Sequence, residues 1–439
     1  MQRIPESYAA LQLAKSLDGF PVTVGGAEYE LYVTPTPQAR NAMPNPEYVN
    51  PETGQKGYDP VGTPGDPLRG QRCQGNASCV PICPVQAKYS AHRTLHKAQK
   101  IAKDNADIGC ELRIENQAVA SKIVMAGKSG SVTQIEYLAY DSPMAAPVKK
   151  VAQARLYVVA AHSIETAKLL LISGVANSSD QVGRNLMDHP TMLTWGLTKD
   201  PVWPFRGPGA TNAIPTFRDG PFRREQAAFV LPIDNWGWSW AAFSPGAAFG
   251  EFLREGQFGK KLRQQVAHDF SRQICFQWEF EQLPQQENRV TIDTNYVDPL
   301  GLPRPVINYT IDDYVKRAMK TAMGLHHRIC EQANITDKTV VFPNAPGYVE
   351  YENVGYEYHG CGHLVGTHRM GDNPKTSVTN SNMRCWDHQN LYLVGCGSMP
   401  TFGTSNPSLS MAALAFRAAR EINEVLINEH RRPRVVDSA

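Results

Sequence analysis

The order of apolar and polar positions predicts an α/β chain with one parallel layer. Leu156–Ala161 is an apolar run that leads directly into a helical run, Ile164–Ile172. An apolar strand that feeds a helix in this way is typical of a buried, parallel sheet. A second apolar run, Asn390–Cys396, is followed by an Ala-rich helix predicted over Ser408–Val425, with Pro407 just before its start.

The middle of the chain alternates with a period of two. In Arg272–Glu281 the apolar residues are separated by mostly polar neighbours, as expected for one buried face of an open antiparallel sheet. Asn288–Ile292 and Val306–Tyr309 are predicted as further strands. A helix is predicted from Asp313 to about Gln332. This region is therefore interpreted as a second domain with an antiparallel sheet and flanking helices.

Turn residues and shorter patterns divide the rest of the chain. A helix is predicted from a cap at Ser90 to about Asp107, and the runs ELRIEN, AVASKIVMA and SVTQIEYLAY predict a small β-meander. The sequence thus divides into an irregular N-terminal segment, a cysteine-rich loop, an α/β portion with the meander, the antiparallel domain and a C-terminal α/β portion. Their predicted bounds are 1–70, 71–90, 91–192, 193–350 and 351–439.

Composition narrows the class of protein. The 439 residues are 42% hydrophobic and 20% charged, which is typical of a folded chain. A formal net charge of +2 gives no reason to expect nucleic acid or an anionic membrane as the main partner. No apolar stretch is long enough to predict a transmembrane helix, and the first residues lack the apolar core of a signal peptide.

Three cysteines lie within eleven residues, in the pattern Cys73-x5-Cys79-x3-Cys83-Pro84. Several thiolates on a loop rich in Gly, Asn and Pro suit iron–sulfur ligation, and the last part matches the end of the bacterial ferredoxin pattern. Three ligands indicate a three-iron cluster, or a four-iron cluster with one open position. A zinc site that borrows a histidine and a set of free thiols remain alternatives.

Two Gly-rich segments near the C-terminus carry candidate chemistry. In His363-Leu-Val-Gly-Thr-His-Arg-Met-Gly371, a histidine on a tight turn could act as a general base, or could be a structural residue bonded to the backbone. The spacing of the histidines at 359, 363 and 368 does not place them on one helix face, so a metal site is not favoured. TFGTSNPSL leads into a helix N-terminus, which could bind an electron-rich ligand or be an ordinary cap. GRNLMDHP has the composition of a turn and indicates no function by itself.

Four ordered segments together resemble the glucose–methanol–choline (GMC) family of flavoprotein oxidoreductases. They are VVAAHSIETAKLLLISG (158–174), VGRNLMDHP (182–190), HLVGTHRMG (363–371) and NLYLVGCGSMPTFGTSNPSLSMAALA (390–415). FRDGPFR, LPQQENRV, IDDYVKR and the three-cysteine loop are similar, within this family, to the catalytic subunits of bacterial sugar and polyol dehydrogenases, such as those of glucose.

The resemblance implies a fold and an activity. The fold would be an FAD-binding doubly wound domain with a substrate domain built on an antiparallel sheet. The activity would be oxidation of a CH–OH group of a sugar or polyol, with hydride passing to FAD and electrons leaving through a 3Fe-4S cluster to a cytochrome c. The implied partners are a small chaperone-like subunit and a cytochrome c subunit, which would place the chain on the periplasmic side of a bacterial inner membrane without a span of its own.

The resemblance also implies roles for individual residues. His363 matches the catalytic base and Asn406 its partner, while Cys73, Cys79 and Cys83 match the cluster ligands. Backbone contacts to FAD are implied for Val119, near the adenine, and for Cys396, Asn406 and Pro407, near the flavin. The chain departs from the family at Gly395, where many members carry Asp, and at His162 or Ser163, where the family carries Gly.

A larger departure concerns the dinucleotide fingerprint. The family opens with a strand, a G-x-G-x-x-G turn and a helix, and this sequence contains no G-x-G-x-x-G. The expectation is therefore a doubly wound domain lacking its first βαβ unit, from a C-terminal fragment, a mis-assigned gene start or a split enzyme. Such a chain would bind FAD weakly when alone. A non-catalytic subunit that relies on a partner for flavin, and a zinc-bound interaction protein, are the alternative interpretations.

Overall fold

A computed structural model describes residues 7–41, 49, 70, 72, 73, 75, 83, 85–127, 130–142, 144–204, 209–235 and 245–431. Cys79 and Pro84 of the predicted cysteine-rich loop lie outside these residues, as does most of the Pro- and Gly-rich run 42–69.

The described residues form both helices and strands. The α-helices are Tyr8–Leu17 (α1), Ala91–Asp104 (α2), Ser163–Ser173 (α3), Pro245–Arg254 (α4), Gly259–Phe270 (α5), Asp313–Gln332 (α6) and Ser408–Arg431 (α7). The strands are Phe20–Val24 (β1), Ala27–Leu31 (β2), Thr34–Pro35 (β3), Ala118–Met125 (β4), Val132–Ala139 (β5), Val148–Ala152 (β6), Tyr157–Val159 (β7), Pro190–Thr198 (β8), Asn212–Ile214 (β9), Phe229–Asp234 (β10), Gln273–Phe280 (β11), Arg289–Val297 (β12), Pro303–Asn308 (β13), Ile335–Asp337 (β14), Tyr348–Tyr351 (β15), Val354–Glu357 (β16), His359–Gly360 (β17) and Leu391–Leu393 (β18). Within the described ranges, none of the helices has the length and apolar character needed to cross a membrane.

One compact unit comprises residues 1–114, 191–280 and 313–359. Its main sheet has the strand order β14-β8-β11-β10-β9-β3 with antiparallel neighbours, and α6 contacts β11. The predicted helix and the predicted antiparallel strand are thus confirmed as α6 and β11. The expectation that only one face of β11 is buried is wrong. Because β11 is a central strand, Cys275 and Glu279 on one face are buried, as are Phe276 and Trp278 on the other.

The other unit comprises residues 115–190, 281–312 and 360–439. β7 and β18 pair in parallel, the meander forms the sheet β4-β5-β6, and β12 pairs with β13. The core beneath them includes Tyr157, Leu170 and Leu391, which are contributed by β7, α3 and β18. The predicted parallel layer is therefore confirmed, and α7 starts at Ser408 as predicted. The five segment bounds given above remain predictions.

Two sequence-based expectations about local structure are corrected. The predicted irregular segment 1–70 contains α1 and the β1–β2 hairpin, because Ser7 caps a helix with a buried apolar stripe and Gly25-Gly26 forms the turn between two alternating runs. ELRIEN, at 111–116, forms no strand. Its side chains are all exposed, so the alternating pattern buries no face there.

Candidate active site

A short backbone pairing holds His363 in place. Met187 and Val365 exchange both backbone hydrogen bonds, with N···O distances of 3.1 and 3.0 Å. Beside this pair, the buried carboxylate of Asp188 accepts from three backbone N–H groups. They belong to His363 (2.7 Å), His189 (2.8 Å) and Gly362 (3.0 Å). These hydrogen bonds hold the turn predicted from GRNLMDHP against the HLVGTHRMG segment.

The structure brings the two predicted catalytic residues into contact. Asn406 lies on the loop that precedes α7, and its Nδ2 is 3.0 Å from Nε2 of His363. His363 is half-buried, whereas Asn406 is exposed. The Asn406 side of this contact is therefore accessible to a small ligand.

His189 is the neighbour that sequence reasoning missed. Its Nδ1 lies 2.9 Å from Nδ1 of His363, and its Nε2 lies 2.6 Å from the carbonyl oxygen of Gly403. The ring is completely buried and stacks on Phe402, with ring centroids 4.1 Å apart and planes 28° apart. The signal available in the sequence was a histidine between Asp188 and Pro190 in a compact turn.

Burial keeps both imidazoles neutral. It lowers the pKa of His189 to about 3, an effect to which the neighbouring His363 adds. It also lowers the pKa of His363 below its ordinary value of 6.5, although the carboxylate of Asp188 opposes this shift. At neutral pH the pair therefore offers unprotonated ring nitrogens, as a general base requires.

The other two histidines of this region occupy different environments. His368 is completely buried, and Gly397 packs so closely against its ring that a Cβ at that glycine would overlap it. Burial lowers the pKa of His368 to about 3. His359 is partly exposed and lies 3.5 Å from a carboxylate oxygen of Glu357. Neither residue joins the His363–Asn406 pair.

Tight glycine contacts fix the path of the site segment. Gly366 has φ of 96°, and a Cβ there would overlap the carbonyl oxygen of Asn185. A side chain at this position would therefore be strained by its backbone conformation and by the lack of space. The Gly of HLVGT thus allows the His363 segment to lie directly against the 183–189 turn.

The carboxyl ends of the parallel pair β7–β18 meet at one edge, the position where doubly wound sheets bind ligands. The backbone after β18 passes Gly395, with φ of 126°, where an added Cβ would meet no atom within 4 Å. After β7 it passes His162, with φ of 71°. This edge is open, and the residues present fit the approach of a flat cofactor.

The predicted FAD contacts are distributed over three elements. Cys396 directly follows Gly395 and packs against a small core formed by Met187, Val365, Met399 and Phe402. Burial raises the pKa of its thiol, which keeps it protonated. Pro407 is buried at the start of α7, whereas Val119 lies in β4 of the three-stranded sheet.

Two of the three predicted cluster ligands can be located. Cys73 is a buried free thiol whose backbone N–H donates to the carbonyl of Asn41 (2.9 Å), and Cys83 is a half-buried free thiol. Because neither of these two thiols is in a disulfide, both are available as soft metal ligands. Cys79 is outside the described residues.

Comparisons with known proteins agree with this geometry. Two family models described as GMC oxidoreductase match residues 30–191 and 284–415. The fructose dehydrogenase large subunit of Gluconobacter japonicus is 32% identical over 89% of this chain and 62% of its own length. The 6'''-hydroxyparomomycin C oxidase of Streptomyces lividus is 29% identical over 83% of this chain and 61% of its own length. The chain therefore spans about three fifths of the length of these relatives.

A solved structure gives an independent comparison of the fold. Formate oxidase of Aspergillus oryzae RIB40 superposes with a TM-score of 0.50 and 15% sequence identity, over 70% of this chain and 60% of that chain. At this level of identity the likeness concerns the fold alone.

Proposed function

The chain belongs to the GMC oxidoreductase family, and we propose that it oxidises a CH–OH group of a sugar or polyol as the substrate-oxidising part of an FAD-dependent dehydrogenase. The observation that carries this proposal is the contact between Nε2 of His363 and Nδ2 of the exposed Asn406. The relative named fructose dehydrogenase large subunit supports a sugar as the substrate class.

The proton chemistry belongs to this pair. Nε2 of the neutral His363 accepts the hydroxyl proton, and the amide of Asn406 orients the hydroxyl oxygen by hydrogen bonding. Since the His363 backbone is fixed by the Asp188 carboxylate, the base keeps its position as the substrate loses its proton. FAD, when bound, would supply the acceptor for the hydride that leaves the carbon bearing this hydroxyl.

Residues around the open sheet edge would hold the cofactor. Cys396 and Pro407 would contact the flavin through their backbone, together with Asn406, and Val119 would do so near the adenine. Gly395 leaves room for a close approach of the cofactor to the end of β18.

We further propose that the electrons leave toward a cytochrome c through an iron–sulfur cluster, which would be a three-iron cluster because three thiolates are present. Cys73, Cys79 and Cys83 would be the ligands, because thiolates on a Gly- and Pro-rich loop suit such a cluster. Since the fructose dehydrogenase relative is named a large subunit, we propose that this chain also works with partner subunits, a small chaperone-like one and a cytochrome c. These partners would hold it on the periplasmic side of a bacterial inner membrane.

The proposed activity predicts a choice of electron acceptor. The FAD-loaded enzyme should oxidise D-fructose or another sugar or polyol from a panel with an artificial acceptor such as ferricyanide. Its turnover with oxygen should be much slower, because the cluster gives the electrons another route. The measurement is acceptor reduction and peroxide release in parallel assays. Equal peroxide release in air would show an oxidase, as one of the relatives is named.

A second prediction concerns the cluster ligands. Cys73→Ser and Cys83→Ser should each remove iron and the visible absorbance of the cluster, because a serine hydroxyl is a poor ligand for iron in such clusters. Transfer to cytochrome c should be lost, while reduction of the flavin by substrate continues. Cys110→Ser, at an exposed free cysteine, is the matched control. Iron content unchanged in both variants would contradict the assignment.

A further inference from the structure

Four polar groups form a continuous row through the site. The carbonyl of Gly403, the ring of His189, the ring of His363 and the amide of Asn406 follow one another at 2.6, 2.9 and 3.0 Å. Gly403 and Asn406 are only three residues apart on the loop before α7. One loop therefore supplies both ends of the row, and the two histidines lie between them.

The first proton in the row can be placed from the chemistry of the carbonyl. A carbonyl oxygen only accepts, so Nε2 of His189 must carry a proton and donate it to Gly403. A neutral imidazole has one N–H. Because burial keeps His189 neutral, its Nδ1 is then unprotonated and can only accept.

The second proton follows from the first. Nδ1 of His363 faces the accepting Nδ1 of His189, so it must carry a proton and donate. In the neutral ring of His363 this leaves Nε2 unprotonated. That nitrogen faces the Nδ2 amide group of Asn406, which donates to it, so every contact in the row has one donor and one acceptor.

We infer that His189 is a positioning residue that holds His363 in the Nδ1–H tautomer and so keeps Nε2 unprotonated, with a lone pair that can pass from the Asn406 amide to the substrate hydroxyl. This inference rests on the proposed role of His363 as the base. A neutral His363 with its proton on Nε2 could not take a proton there, so the tautomer decides whether the base functions.

The surroundings of His189 suit this task. Its ring is stacked on Phe402 and meets the ring of His363 edge-on, with centroids 5.1 Å apart and planes 87° apart. Its backbone N–H is bound by the Asp188 carboxylate. Phe402 therefore fixes the ring plane, and His363 and Gly403 fix its two nitrogens, which is what a residue that sets the tautomer of its neighbour requires.

Two amide variants test the roles of the two ring nitrogens of His189 separately. In His189→Asn, the amide oxygen lies near the position of Nδ1 and still accepts from His363. In His189→Gln, the longer amide lies near the position of Nε2, so it still donates to Gly403 but presents no acceptor to His363. Both variants therefore keep a polar side chain at position 189, and they differ in whether Nδ1 of His363 still meets an acceptor.

The direct test is nitrogen NMR of the full chain with ¹⁵N-labelled histidine rings, with the His363 signals assigned by their loss in His363→Gln. The wild type should show a protonated Nδ1 and an unprotonated Nε2 at His363. His189→Asn should keep this pattern, and His189→Gln should lose it. A protonated Nε2 in the wild type, or the wild-type pattern in His189→Gln, would overturn the inference. The wild-type spectrum alone decides the tautomer even where a variant folds poorly.

Flavin-reduction kinetics of the FAD-loaded enzyme then test the base itself. His189→Gln should slow flavin reduction by about 10²-fold to 10⁴-fold, the range for loss of a general base, while His189→Asn should recover much of the rate. A lost tautomer with an unchanged rate would leave the assignment of His189 standing and contradict His363 as the base. The spectrum and the rate therefore judge the two proposals separately.

Discussion

Replacement of His363 by alanine should slow reduction of the bound flavin by about 10²-fold to 10⁴-fold. In the proposed mechanism the imidazole takes the substrate proton, and Asn406, which remains, has no basic nitrogen with which to replace it. FAD binding should be unaffected, because the proposed contacts to the cofactor come from other residues. The measurement is stopped-flow absorbance of the flavin after the enzyme is mixed with substrate in the absence of oxygen.

The pH dependence of the same rate gives a second measurement. If His363 is the base, as proposed, its unprotonated imidazole is the active form, so the rate should rise with pH and reach its plateau once His363 has lost its proton. Because burial lowers the pKa of His363 below 6.5, the acid limb of the rate should have its midpoint below pH 6.5. This acid limb should be absent in His363→Ala.

His359→Ala is the control for this variant. It removes an imidazole only four residues away that is partly exposed and lies beside Glu357. We expect its rate to stay close to that of the wild type. A loss at His359 as large as that at His363 would place the base elsewhere.

Elements with strong local signals were predictable from the sequence. β7 and α3 follow from one apolar run that feeds another, and α7 follows from an Ala-rich run behind Pro407. The exposure of ELRIEN and the burial of both faces of β11 were not predictable. Both depend on which neighbouring elements cover a strand, and alternation within the strand does not contain that information.

The residues of the candidate site could also be predicted only in part from the sequence. His363 and Asn406 could be singled out because each lies in a recognisable Gly-rich segment. His189 could not, because its importance depends on contacts with His363 and Gly403, which are 174 and 214 residues away in the sequence. Composition identified its segment as a turn, which is what the backbone forms there, but gave no indication of the buried ring.

Asp188→Asn should lower both the stability of the fold and the rate of flavin reduction. The carboxylate accepts from three backbone N–H groups in a buried position, and hydrogen bonds to charged groups contribute about 1.5–3 kcal/mol each. An amide keeps the volume but replaces one accepting oxygen with a donor, which leaves at least one N–H unsatisfied. We expect a free energy of unfolding lower by about 3 kcal/mol, measured by urea unfolding.

The loss of rate follows from geometry. Oδ1 of Asp188 accepts from both His189 and His363, and Oδ2 accepts from Gly362. In Asp188→Asn the NH2 group in place of Oδ2 faces the Gly362 N–H, and this repulsion displaces the side chain from the two histidine N–H groups as well. A displacement of about 1 Å at a catalytic group costs about 10²-fold in rate, and we expect a decrease of that order in Asp188→Asn.

Asp180→Asn is the matched control, since it makes the same chemical change on the same segment at a side chain that is 76% exposed. Its pairing with Arg184 is a surface ion pair worth at most about 1 kcal/mol, and the left-handed backbone at Asp180 is one that asparagine tolerates well. Equal unfolding midpoints for the two variants would contradict the role of Asp188 in holding the two segments of the site together.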